Sequence, residues 1–115
     1  MGLISTHVLD MASGRPAAGV RVDLFRVEET PLFLKSAVTN GEGRTDGPLL
    51  SGMDLLAGTY QLLFYVGEYY AAAGHQDAGK FLAHVPLVFR VADAQAKYHV
   101  PLLVSPWAYS TYRGS

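Results

Sequence analysis

Residues Gly58–His75, GTYQLLFYVGEYYAAAGH, contain both kinds of backbone that the chain is expected to use. In the first half Tyr60, Leu62, Phe64 and Val66 alternate with Gln61, Leu63 and Tyr65, the period of two that belongs to a β-strand. In the second half the pattern changes. An Ala-rich centre that stops at Gly74 predicts one short helix, because Ala favours helix and Gly accepts the left-handed conformation in which helices commonly end. The rest of the chain resembles the first half. Leu3 to Leu9 reads as a strand, and DMASGRPAAG breaks it with loop-forming Gly, Pro, Ser and Asp. VRVDLFRV alternates Val20, Val22 and Leu24 with Arg21 and Asp23. PLFLKSAVT, HVPLVFRV, AKYHVPLLV and AYSTY supply further strands, the middle two with Pro86 and Pro101 at positions expected to be edge, bulged or strand-initial. NGEGRTDGP holds two turn dipeptides, Asn40-Gly41 and Asp46-Gly47, and places Arg44 between them on or beside a very short strand. Short strands with turns between them, and a single helix, predict an all-β fold, an antiparallel β-sandwich.

A chain of 115 residues has material for one hydrophobic core, so residues 1–115 are expected to form a single domain. Half of the residues are hydrophobic, which argues against disorder. Nine Lys and Arg against ten Asp and Glu leave a formal charge of −1, which gives no broad attraction for nucleic acid or an anionic membrane. Without Cys there is no disulfide framework, no thiolate nucleophile and no Cys-based metal site. The opening residues lack a basic segment followed by an apolar one, and no stretch is long enough to span a bilayer, so the cytoplasm is the expected compartment. In YHVPLLV both strand faces are largely apolar, which implies a cover over the second face and hence an oligomer.

The four His residues are candidates for proton transfer near neutral pH. His7 and His99 sit inside apolar strands, whereas His75 and His84 fall in or beside loops, where a surface role is the simpler reading. No HxH or HExxH spacing marks a metal site, no GxSxG elbow marks a serine nucleophile, and NGEGR lacks the ending of a phosphate loop. What remains is a site of two imidazoles and a guanidinium, one His as base or water orienter and an Arg as a fixed cation for an anionic substrate or transition state, although spacing alone does not bring them together.

Three stretches, STHVLDMASGRPAAGVRVDLFR, TNGEGRTDGPL and YHVPLLVSPWAYSTYRGS, resemble in order and spacing the transthyretin-like family over essentially the whole chain. The closing Tyr112-Arg113-Gly114-Ser115, with His7 in THVLD, Arg44 in GRTD and His99 in YHVPLL, is similar to the 5-hydroxyisourate hydrolase (HIUase) branch rather than to the hormone carrier. The resemblance implies a sandwich of about eight strands with one short helix. It implies hydrolysis of 5-hydroxyisourate to 2-oxo-4-hydroxy-4-carboxy-5-ureidoimidazoline without metal or cofactor. It also implies a homotetramer, a dimer of dimers with active sites in the channel between dimers, and no nucleic-acid or membrane partner. His7, Arg44 and His99 would be catalytic, the two His sharing the handling of water and of the leaving nitrogen. Tyr112 would hydrogen-bond or stack on the substrate ring, and Ser115 would add its hydroxyl and the terminal carboxylate. Arg113 would anchor that end by an ion pair. Lys97, where the family more often has His, is expected at the strand start or turned away from the site. The alternative is a non-catalytic carrier of a planar aromatic ligand, against which the polar residues of the channel argue.

Overall fold

A computed structural model describes residues 1–115. Its strands are β1 (Leu3–Asp10), β2 (Arg15–Pro16), β3 (Arg21–Arg26), β4 (Leu32–Val38), β5 (Leu50–Ser51), β6 (Gly58–Phe64), β7 (Val85–Val91), β8 (Lys97–Val104) and β9 (Tyr109–Thr111). One helix, α1 (Val66–Ala72), joins β6 to β7. One sheet has the order β2-β1-β8-β9 with β5 also on β1, and the other β4-β3-β6-β7. Their facing sides hold the core, with Ile4, Val8, Val100, Leu102 and Val104 of the first against Val22, Leu24, Leu62, Phe64 and Val85 of the second. In β1 burial alternates residue by residue, so Leu3, Ser5, His7 and Leu9 lie on the outer face.

The expected β-sandwich with one short helix is what folds. Within it one ladder runs parallel: β1 pairs with β8 from Leu3↔Lys97 to Asp10↔Val104. A parallel pair needs a long crossover, which the intervening chain supplies. This register sets Ser5 opposite His99 and His7 opposite Pro101. Pro86 lies on edge strand β7, whereas Pro101 lies inside β8 between two neighbours. Its carbonyl accepts from Thr111 Oγ1 at 2.7 Å, on the β9 side, where the ladder starts only at Leu102↔Thr111. The missing N–H of Pro101 points to that same side, so no ladder bond to β1 is lost.

Helix α1 ends as its sequence predicts. Gly74 adopts φ 74°, His75 N–H donates to Tyr70 O at 2.9 Å and Gly74 N–H to Ala71 O at 3.0 Å, the paired bonds of a Schellman stop. The helix is tied to β1 through the Asp10 carboxylate, which accepts from Tyr70 Oη at 2.7 Å, Tyr69 Oη at 2.8 Å and Ala12 N–H at 2.9 Å. No helix is long and apolar enough to cross a membrane.

Candidate active site on the outer face of the β1–β8 ladder

The turn after β4 carries Arg44 to the outer edge of β1. Asn40 organises it: its Oδ1 accepts from Glu42 N–H at 2.9 Å and Arg44 N–H at 3.3 Å, and its Nδ2 donates to Asp46 Oδ1 at 3.0 Å. Gly43, at φ 76°, lies so close to β1 that a Cβ there would collide with Val8 O, and its own carbonyl accepts from Val8 N–H at 2.8 Å. The result is an isolated bridge between His7 and Arg44. At the other end of the chain Gly114 forms a second bridge, donating its N–H to His99 O at 2.8 Å. Two sequence-distant segments thereby converge on β1 and β8.

Between them lies a cavity of about 310 Å³ lined by Leu3, Ser5, Arg44, Lys97, His99 and Ser115. A neighbouring one of about 240 Å³ shares Leu3, Ser5 and Arg44 and adds Thr6, Thr45, Gly47 and Pro48. Arg44 is exposed and takes part in none of the three ion pairs of the molecule, which leaves its guanidinium free for an anion.

The two imidazoles are held differently. His7 Nε2 lies 2.8 Å from Glu42 O, and because a carbonyl only accepts, that nitrogen carries a proton and Nδ1 is the other available position. His99 Nδ1 lies 2.8 Å from Ser5 Oγ. Burial, then the positive charges of Arg44 and His7, hold the His99 pKa below its ordinary value, so at neutral pH this ring is uncharged and able to accept a proton.

Of the residues expected in the site, the structure brings His7, Arg44, His99 and Ser115 to one region. Tyr112 is elsewhere within the chain. It lines a cavity of about 390 Å³ between β7 and β8, in the company of Val88, Phe89, Tyr98 and Val100. Strand β9 ends at Thr111, so alternation no longer fixes the side on which Tyr112 falls. Arg113 makes no ion pair. It donates from Nη2 to Lys97 O at 2.9 Å and lies over the Tyr98 ring at 4.4 Å from its centroid. Lys97 is at the start of β8, as expected, but in the cavity wall rather than away from it. His75 and His84 pack against Tyr70 and Tyr65 respectively, remote from these cavities. Strand alternation puts Ser5 on the same face as His7, whereas its bond to His99 depends on the parallel register.

The model of the HIUase/transthyretin family matches residues 4–114. A 5-hydroxyisourate hydrolase of Ralstonia nicotianae is 53% identical over all of both chains. The 5-hydroxyisourate hydrolase 2 of Rhizobium meliloti is 50% identical over 99% of this chain and 97% of its own. The solved 5-hydroxyisourate hydrolase of Klebsiella pneumoniae superposes with a TM-score of 0.83 at 34% identity, each chain covered in full.

Proposed function

The chain belongs to the HIUase/transthyretin family, and on that premise we propose that it hydrolyses 5-hydroxyisourate to 2-oxo-4-hydroxy-4-carboxy-5-ureidoimidazoline, a step of urate breakdown, with His7, Arg44 and His99 as the catalytic groups. The observation that carries the assignment is the convergence of an unpaired guanidinium and an uncharged imidazole on one cavity.

The reaction adds water across a ring amide. An imidazole takes a proton from water as the oxygen attacks the carbonyl carbon, and a proton is returned to the ring nitrogen as the C–N bond breaks. Arg44 orients the substrate oxygens and stabilises the negative charge that develops on the attacked one, from a backbone that the Asn40 turn already holds. Burial first, and then the charge of Arg44, keep His99 neutral, so the same cation contributes to both roles. Ser115, which lines the same cavity, contacts the substrate there. Tyr112 acts on the substrate only if assembly of chains brings it to a cavity other than the one it lines in its own chain.

The acting unit is residues 1–115 as one domain in a homotetramer, a dimer of dimers, in the cytoplasm. Support for assembly comes from the half-buried Leu9 and Leu103 on the outer face of β1 and β8, and from the exposed Val88 and Tyr109 on the two edge strands β7 and β9.

Freshly generated 5-hydroxyisourate loses its ultraviolet absorbance slowly by itself, and adding the protein in catalytic amount is expected to speed that loss. A decay unchanged by the protein would overturn the assignment.

A further inference from the structure

Ser5 is half-buried on the outer face of β1 and lines both cavities, yet the hydrolytic scheme gives it no task. Its hydroxyl lies 2.8 Å from His99 Nδ1, a pairing created by the register Ser5↔His99. The Cδ2 edge of the same ring is closed by Gly114, where an added Cβ would stand 2.6 Å from Cδ2 and 3.4 Å from Cγ. With Nδ1 engaged and Cδ2 covered, Nε2 is the ring nitrogen left to serve the cavity.

A hydroxyl can donate or accept, so the contact alone does not choose the tautomer. The charges around the ring do. Arg44 and Lys97 line the same cavity as His99, two cations against the one carboxylate of Ser115, and Arg44 acts on the ring as a positive neighbour. Positive charge near a neutral imidazole favours turning the free lone pair outward and placing the proton on the protected nitrogen. The proton then sits on Nδ1, and Ser5 accepts it.

We propose that Ser5 is the positioning residue of this site: its Oγ accepts the Nδ1 proton of His99, which holds the Nε2 lone pair toward the cavity and makes His99 the general base. The assignment rests on the hydrolytic reading above and deepens it. Nε2 takes one proton from water as the water oxygen bonds to the ring carbonyl carbon and the carbonyl electron pair moves to its own oxygen. When that pair returns and the C–N bond breaks, the bond electrons go to nitrogen, which takes a proton from Nε2–H. One water is consumed, one C–N bond is broken, and His99 is restored with its proton on Nδ1. Throughout the cycle Nδ1 keeps its proton, so Ser5 remains an acceptor in both charge states of the ring. His7 cannot offer its Nε2 in the same way, since that atom donates to Glu42 O.

The test combines 15N–1H correlation spectra of the imidazoles at a pH where His99 is neutral with steady-state kinetics of wild type, Ser5→Ala and Ser5→Thr. Wild-type Nε2 of His99 is expected to resonate as an unprotonated, pyridine-type nitrogen, and in Ser5→Ala to shift toward the protonated form. The Ala variant is expected to lose kcat by about 10- to 100-fold at a KM changed less than about threefold, while Ser5→Thr, which keeps the hydroxyl, recovers most of the loss. A protonated Nε2 in wild type, or Ser5→Ala turnover within about twofold of wild type, overturns the proposal. If Ser5→Ala does not fold, the wild-type spectrum and Ser5→Thr decide. A wild-type protein without activity on 5-hydroxyisourate would defeat the function while leaving the tautomer measurable, so the two failures are distinguishable.

Discussion

His99 is half-buried between Ser5 at Nδ1 and Gly114 at Cδ2, and the consequences can be tested residue by residue. Gly114 leaves no room for a side chain beside the ring. Gly114→Ala places a Cβ 2.6 Å from His99 Cδ2, so the ring or the chain end must shift. The expected outcome is a fall in kcat/KM of about tenfold or more with an unchanged thermal midpoint, because Gly114 lies outside the core. The pH profile follows from the ring's own titration. His99 is pushed below its ordinary value, by burial first and then by Arg44 and His7, so protonation that removes the base occurs at lower pH than for a free imidazole. The acid limb of kcat/KM is therefore expected below about pH 6.5, and replacing Arg44 by Gln should move it upward toward that value. His7, Arg44 and His99 were legible in sequence as polar residues within strand-like or turn stretches. Ser5 was not, since a contact spanning 94 residues depends on which strands pair and in which direction. Tyr112 closes the stretch AYSTY, which reads as a strand in sequence, but the strand stops at Thr111.

At the scale of elements, α1 is attached to β1 through the hydrogen bonds of Tyr69 and Tyr70 to Asp10. Burial alone would raise the Asp10 carboxyl, but bonds from Tyr70, Tyr69, Ala12 N–H and Ser13 outweigh it, and the pKa lies below its ordinary value. The same contacts act in reverse on the phenols: burial and the Asp10 carboxylate push Tyr69 up to about 12. A carboxyl whose pKa is lower folded than unfolded stabilises the fold above the unfolded pKa, about 3.9, and the contribution is lost as pH falls through the folded value. Tyr70→Phe is expected to cost about 1–3 kcal/mol in chemical denaturation at pH 7, and less at pH 3, where part of the Asp10 charge is gone. An equal cost at both pH values would show that the ring packing, rather than the charged bond, matters. Strand positions and the Gly74 stop were legible because period-two alternation and glycine chemistry are local. The parallel course of β1 beside β8 was not, because alternation says nothing about direction. The two-residue strands β2 and β5 are too short to show a period at all.

For the whole molecule, the surplus of apolar strand faces in the sequence corresponds in part to exposed surface, at Val88, Tyr109 and Tyr112 toward the edges of the sandwich, while Leu103 on β8 is half-buried. Light scattering of the purified protein is expected to give four times the mass of the chain, and a monomer at micromolar concentration would remove the proposed channel. Deleting residues 112–115 tests the chain end. It removes Gly114 N–H from His99 O, the Arg113 guanidinium from Tyr98 and Ser115 from the cavity, but no core residue, so turnover is expected to vanish while the circular dichroism spectrum and thermal transition persist. Full activity in the truncated protein would contradict the role given to that segment. The most direct test of the whole account is the initial rate of 5-hydroxyisourate loss with wild type and with Arg44→Gln, an exposed position whose replacement leaves the core intact. The account predicts acceleration by wild type and a loss of about 100-fold or more in kcat/KM for Arg44→Gln at an unchanged thermal midpoint. Equal rates for the two proteins would contradict it.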